Sequence, residues 1–290
     1  MPNEFQELIL ALKELKPEDN LLKDYFFPIV VSFISSFMGA LFAYVVFKRQ
    51  DSLIFEKEKL NTANKIIITA MDTFHELSRI KADYAMDVKK HSNPYQRALL
   101  FPPLAARTHA INFPTEQMTF IAPQRKKGKP DYPKWSQIPT FSALSRNYNL
   151  TIDFIEKRNL LDLDIKKTLL QTQRERGILA AGVDALVLQE VISREDLGNW
   201  ILLTEKIIIL VDDLIVELDD LLHGFPTYVS GKIKLKKIKP YGGVVTFNHA
   251  NKSSLFLGKC TPPDYEIVAN VLGVTVDEAK EILSTGYEVI

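Results

Sequence analysis

Hydrophobic and polar positions alternate along this chain with a period that changes several times, and each change marks an element. From Tyr25 to Phe47 there is no polar alternation: YFFPIVVSFISSFMGALFAYVVF carries no charged residue. About 20 apolar residues rising ~1.5 Å each cross a ~30 Å hydrocarbon core, so the run predicts a transmembrane helix with length to spare for tilt. It begins only at residue 25 and is followed by Lys48 and Arg49, which reads as an anchor and not as a cleavable export signal. Ahead of it, Phe5, Leu8, Ile9, Leu12 and Leu15 recur at helical spacing until Pro17, predicting a short amphipathic helix.

A seven-residue period takes over next. Leu53, Leu60, Ile67 and Phe74 form one row, and Ala63, Ala70, Leu77 and Tyr84 form its companion. The pattern predicts a helix over about 50–91, ended by Asn93-Pro94. Such a seam suits either a coiled-coil stalk between two copies or one helix of an intramolecular bundle. Ile66, Ile68, Met71 and Ile80 widen the stripe and favour the bundle.

Eight of the fifteen prolines then fall in residues 93–140, which excludes long regular structure apart from a short helix beginning near Pro114. Helical periodicity resumes at Phe141. One helix is expected through Leu161, one or two more through Gln189 with weak points at Gly177 and Gly182, and a long amphipathic helix capped by Ser193 and ended by Gly224. The stretch from Thr227 to Lys259 is rich in β-formers broken by Gly and Asn and predicts two or three short strands. Two short helices, PPDYEIVANVLG and TVDEAKEILS, close the chain.

The expected organisation is therefore a mainly α protein. It has an extracytoplasmic tail (1–24), a transmembrane helix (25–47), a helical bundle (48–224) with a proline-rich insertion (93–140), and a small α+β module (225–290).

Charge adds orientation. Lys13, Lys16 and Lys23 precede the span within nineteen residues, whereas Lys48, Arg49, Lys57, Lys59 and Lys65 follow it within the same distance. Positive charge marks the cytoplasmic side, so the C-terminal part is expected in the cytoplasm. A lone cysteine, Cys260, cannot form an intrachain disulfide, which suits a reducing compartment, and it reads as an inert thiol. The whole chain balances 36 basic against 36 acidic residues, so no global charge calls for nucleic acid.

Candidate chemistry is sparse. His75-Glu76 opens like HExxH, but Arg79 stands at the fifth position, and no phosphate loop, Ser/His/Asp set or metal-spaced His/Cys set is present. No catalytic residue, cofactor or metal is expected. Asp213, Glu217 and Asp220 share a helix face with Asp212 and Asp219 beside it, which reads as a solvated face. Arg125, Lys126 and Lys127, and Lys232, Lys234 and Lys236, make two basic patches that could meet an anion or a lipid headgroup, although lysines alternating on a strand also guard a sheet edge. The residues IVANVLGVTVDEAKEIL resemble the helix-turn-helix of DNA-binding proteins, with Ala269, Gly273 and Val274 at its small, turn and aliphatic positions. The second helix would show DNA phosphates Asp277, Glu278 and Glu281 against Lys280 alone, so a docking role is favoured over DNA binding.

Within the span, Ser35, Gly39 and Ala43 lie four apart, with Ser32, Ser36 and Ala40 as the adjacent row. Small residues at this spacing let membrane helices approach closely. The sequence as a whole reads as a single-pass inner (plasma) membrane protein of bacterial type. Its expected role is an interaction or regulatory protein that self-associates and ties a cytosolic protein partner to the bilayer. The alternatives are a triggered effector whose oligomerised spans permeabilise the bilayer and, least favoured, a membrane-tethered enzyme.

Overall fold

A computed structural model describes residues 6–7, 10, 25–106, 110–123, 132–176, 185–248 and 254–287. The chain divides into two compact units, Met1–Phe55 and Glu56–Ile290. Helix α1 (Phe27–Val88) contributes to both. In the first unit its residues form one helix long and apolar enough to span a membrane, and that apolar window buries nothing inside the chain. Phe33, Phe37, Phe42 and Phe47 are all exposed.

The second unit is helical throughout its regular structure. Besides α1 it contains α2 (Pro94–Leu100), α3 (Ile138–Arg176), α4 (Ala185–Val191), α5 (Arg194–Ser230), α6 (Ser254–Leu257), α7 (Tyr265–Leu272) and α8 (Val276–Leu283). Helix α5 is the hub: α2, α3, α4, α6, α7 and α8 all pack on it. Its sequence explains why. Trp200, Ile201, Ile207, Ile208, Val211, Leu214, Ile215 and Leu218 cover more than one face, so the helix is buried nearly all round. Both seven-residue rows of α1 are buried here within a single copy of the chain, from Leu60 and Ala63 through Leu77 and Tyr84.

Helix ends follow their side chains. Ser193 caps α5 by accepting from the Asp196 amide, Asn93 caps α2 ahead of Pro94, and Asp264 caps α7. Gly273 closes α7 with φ of 72°, a left-handed conformation that suits glycine. Thr275 and Glu278 then form a reciprocal capping box on α8.

Three expectations need correction. The β strands of the C-terminal module are absent: among the described residues there is no strand, and 235–237 and 239–241 form 3₁₀ turns. The period-two pattern of KIKLKKIK is too short to hold a strand. Ile233 and Ile238, five residues apart, are instead the buried anchors of a compact turn segment. The module is helical, not α+β.

Second, α5 does not stop at Gly224 but continues through Pro226 to Ser230. Gly224 serves close approach: a Cβ there would lie 2.9 Å from the Trp135 ring. Third, the helices expected on either side of residue 161 are one continuous α3.

The proline-rich insertion keeps its irregularity by borrowing hydrogen bonds from α3. Asn159 pairs with both backbone groups of Leu104 (3.1 and 2.7 Å), and Asn149 does the same for Ile111 (2.9 and 3.1 Å). Backbone groups that prolines keep out of helix or sheet are thereby satisfied. The helix expected near Pro114 appears as the 3₁₀ turns Thr115–Gln117 and Thr119–Ile121.

Candidate functional site

The structure places the six small residues of the span, Ser32, Ser35, Ser36, Gly39, Ala40 and Ala43, on α1 with every one exposed. A Cβ added at Gly39 would meet nothing within 4 Å in this chain. The face is thus unoccupied by any of the described residues.

The two basic patches fare differently. Arg125, Lys126 and Lys127 lie outside the described residues. Lys232, Lys234 and Lys236 lie on the turn segment after α5. Lys232 Nζ sits 5.2 Å over the Tyr228 ring, and the Lys234 backbone amide donates to Glu56 at 2.7 Å. Burial pushes the Glu56 carboxyl up, but this bond and Lys59 outweigh it and hold it below the ordinary value.

The acidic face of α5 is the clearest departure from the sequence expectation. Asp212 and Asp213 are not solvated; each is 4% exposed. Asp212 pairs with Lys81 at 2.6 Å and accepts the Cys260 amide at 2.5 Å. Asp213 pairs with Lys259 and accepts from the Thr285 hydroxyl. Only farther along does the face reach solvent, where Lys134 bridges Glu217 (2.7 Å) and the exposed Asp220 (3.1 Å).

Two turns before Asp212, α5 presents Glu205, which meets Arg97 at 3.0 Å with both side chains fully buried. Neither Glu205 oxygen has a directed hydrogen bond. Burial raises its carboxyl to about 7, against the pull of Arg97.

These buried cations share a further task. Lys81 donates to the carbonyls of Phe256 (2.8 Å) and Gly258 (3.0 Å), and Arg97 to that of Thr261 (2.7 Å). Arg158, paired with Asp162 at 3.0 Å, donates to Ala98 and Phe101, both at 2.9 Å. Each cation stands where water would otherwise solvate an irregular backbone. Apart from the i, i+4 pair Arg158–Asp162, the sequence could not announce these contacts, because the partners lie far apart along the chain.

A cavity of about 230 Å³ opens between α5, the 259–263 segment and α8, lined by Arg97, Asp212, Asp213, Lys259, Cys260 and Lys280 among others. It is smaller than the usual ligand pocket. Its cysteine is no nucleophile: burial pushes the Cys260 thiol up to about 12, so it stays protonated at neutral pH. Among the described residues no three His, Cys, Asp or Glu side chains gather as for a metal ion. His75, the head of the failed HExxH, packs its ring edge-on against Phe74 and Phe247.

No family model, no curated protein and no solved structure matches this chain.

Proposed function

We propose that this chain is a single-pass membrane-anchored interaction protein. Its helical second unit lies in the cytoplasm and engages a protein partner there, and its span holds several copies together. The observation that carries the proposal is the wholly exposed apolar run of α1, with Ser32, Ser35, Ser36, Gly39, Ala40 and Ala43 on it. Exposed phenylalanines in water would be a liability, whereas in hydrocarbon they are at home. A small-residue face at four-residue spacing lets a second helix approach closely, and serine hydroxyls can hydrogen-bond across the contact. The buried seven-residue rows leave the span, not the following helix, as the element that associates.

Light scattering of the detergent-extracted full-length chain tests this. The expected result is a mass of several copies, reduced to one copy by Gly39→Leu. A monomeric wild type would sink the self-association.

A second reading has one observation in its favour: three serines place hydroxyls in a span otherwise free of hydrogen-bonding groups larger than a tyrosine tip. Several such faces turned inward would line a wet path. Dye release from vesicles that scales with copy number and disappears in Gly39→Leu favours this effector. Retention of dye at every copy number favours the tether.

A further inference from the structure

Residues 221–263 contain seven lysines and no aspartate or glutamate, and five of those lysines fall within Lys232–Lys239. Once the segment is seen not to be a strand, the sheet-edge explanation for these lysines lapses. What holds the segment is Ile233 (6% exposed) and Ile238 (fully buried), which turns Lys234, Lys236, Lys237 and Lys239 outward. Glu56, the carboxylate that the segment meets, is itself buried. It accepts the Lys234 amide and pairs with Lys59 at 2.9 Å, and although it also attracts the Lys234 ammonium, Lys234 stays exposed.

Two further contacts fix where this basic surface belongs. Lys57 Nζ lies 4.5 Å over the ring of Tyr241, which is itself 55% exposed. Asn64 grips the backbone just beyond, donating to the Gly243 carbonyl (3.1 Å) and accepting from the Val245 amide (2.9 Å). A segment some 180 residues away in sequence is thus clasped to residues 56–64. Only eight residues, 48–55, separate Glu56 from the last apolar residue of the span. However they run, eight residues reach no farther than about 30 Å. Distance along the sequence therefore does not keep these lysines from the bilayer.

We propose that Lys234, Lys236, Lys237 and Lys239, with Tyr241 beside them, form a contact surface for the anionic headgroups of the lipid leaflet that the span enters. The chemistry is that of a juxtamembrane polybasic cluster. Each lysine close to an anionic surface strengthens attachment about five-fold, and an exposed tyrosine suits the headgroup layer. The sign agrees with Lys48 and Arg49 at the end of the span, since positive residues flank the cytoplasmic leaflet. The contact would hold the second unit against the membrane, where a tether alone lets it swing.

The inference rests on the membrane anchoring proposed above, and the test separates the two. Full-length chain carrying Gly243→Cys, a position where a side chain meets open space, is labelled with a fluorophore and reconstituted into vesicles bearing nitroxide-headgroup lipid. Phosphatidylcholine alone is compared with phosphatidylcholine plus phosphatidylglycerol. Quenching is expected only with the anionic lipid, and is expected to vanish in high salt. Replacing the four exposed lysines by glutamine weakens the contact by about 600-fold, and replacing them by arginine preserves it. Circular dichroism shows whether the glutamine variant is folded, and the arginine variant keeps the test decisive if it is not. Equal quenching in both lipids overturns the proposal. So does relief of quenching by inorganic phosphate or by an oligonucleotide at concentrations too low to screen charge, which would make those the ligand. A chain that alkaline carbonate strips from the vesicles fails at the anchor; one that stays inserted with an unquenched label fails only here.

Discussion

The span and helix α5 are built to opposite rules. Along residues 25–47 large apolar side chains stand exposed and no charge is present; Phe33 is 75% exposed and Phe37 62%. Along α5 the carboxylates are inside: Glu205 is fully buried, and Asp212 and Asp213 are 4% exposed. In water, exposed phenylalanines cost free energy, and buried carboxylates are tolerated only with a partner. Helix α5 meets the second condition with Arg97, Lys81 and Lys259. The apolar run of α1 does not meet the first, and that mismatch is what the proposed membrane anchoring answers.

Equal exposure with unequal solvent gives the largest effect. Phe37 and Met38 in the span are 62% and 44% exposed, and Leu160 and Leu163 on α3 are 69% and 68%. Lysine at both span positions costs about 5–7 kcal/mol of insertion free energy near mid-bilayer. It is expected to move the chain from the membrane pellet to the soluble fraction. Lysine at both α3 positions is expected to shift the denaturation midpoint by less than about 1 kcal/mol. Matching effects at the two pairs would mean that they share a solvent, and the membrane anchor would be lost.

Lys81→Met comes next. It keeps the side-chain volume but strips Asp212 of its cation and leaves the Phe256 and Gly258 carbonyls without a donor. Breaking one side of a buried pair costs about 3–5 kcal/mol. Urea unfolding of the full chain in detergent would show it, and the double variant Lys81→Met with Asp212→Leu should recover much of the loss. If the single variant is neutral, the network is an ornament of the core and not its fastener.

How much of this was legible in the sequence follows the same division. The long apolar helix needed only local information, since a charge-free run of that length is read from composition alone. The helices of the second unit were equally local: Ser193, Asp264 and Thr275 sit where their caps require. The buried charges were illegible because i, i+4 and i+7 spacing puts Asp213, Glu217 and Asp220 on one face without saying what the face meets. Lys81, Arg97 and Lys259 arrive from three other segments. The lysine segment failed for a related reason: four alternating residues fit a strand, but burial of Ile233 and Ile238 is decided by tertiary packing. Gly224 looked like a terminator, and only the Trp135 ring reveals its use.

Glu205 sharpens the interior half of the contrast. Its folded carboxyl titrates at about 7 against an ordinary 4.5, because burial disfavours the charge more than Arg97 favours it. The folded chain therefore holds a proton that the unfolded chain releases between those values, and stability falls as pH rises through that window. At ~1.4 kcal/mol per unit the loss is about 3–4 kcal/mol, levelling above the folded value. Glu205→Gln should flatten this part of the stability profile while leaving the slope below pH 4 unchanged. An identical slope in both chains would show that Glu205 is ionised throughout and fully matched by Arg97.

The smallest effects come from two glycines on α5 that invert one another. Within a helix, glycine to alanine gains up to about 1 kcal/mol from backbone entropy when the new methyl has room. At Gly198 it has room: the nearest atoms would be Leu272 Cδ2 at 3.6 Å and Val271 Cγ1 at 3.8 Å, ordinary contacts. At Gly224 it has none, because Trp135 Cδ1 and Nε1 would both stand at 2.9 Å. That ring is clamped in turn by Phe141, whose centroid is 5.7 Å away, and Phe141 stacks edge-on with Phe225 at 5.4 Å. A shift of Trp135 must therefore propagate through the aromatic cluster, at a cost of about 1–3 kcal/mol that outweighs the entropy gained. Gly198→Ala should raise the denaturation midpoint and Gly224→Ala should lower it. Two increases would mean that Trp135 yields freely, and that α5 runs past Gly224 for want of a terminator and not to let the tryptophan in.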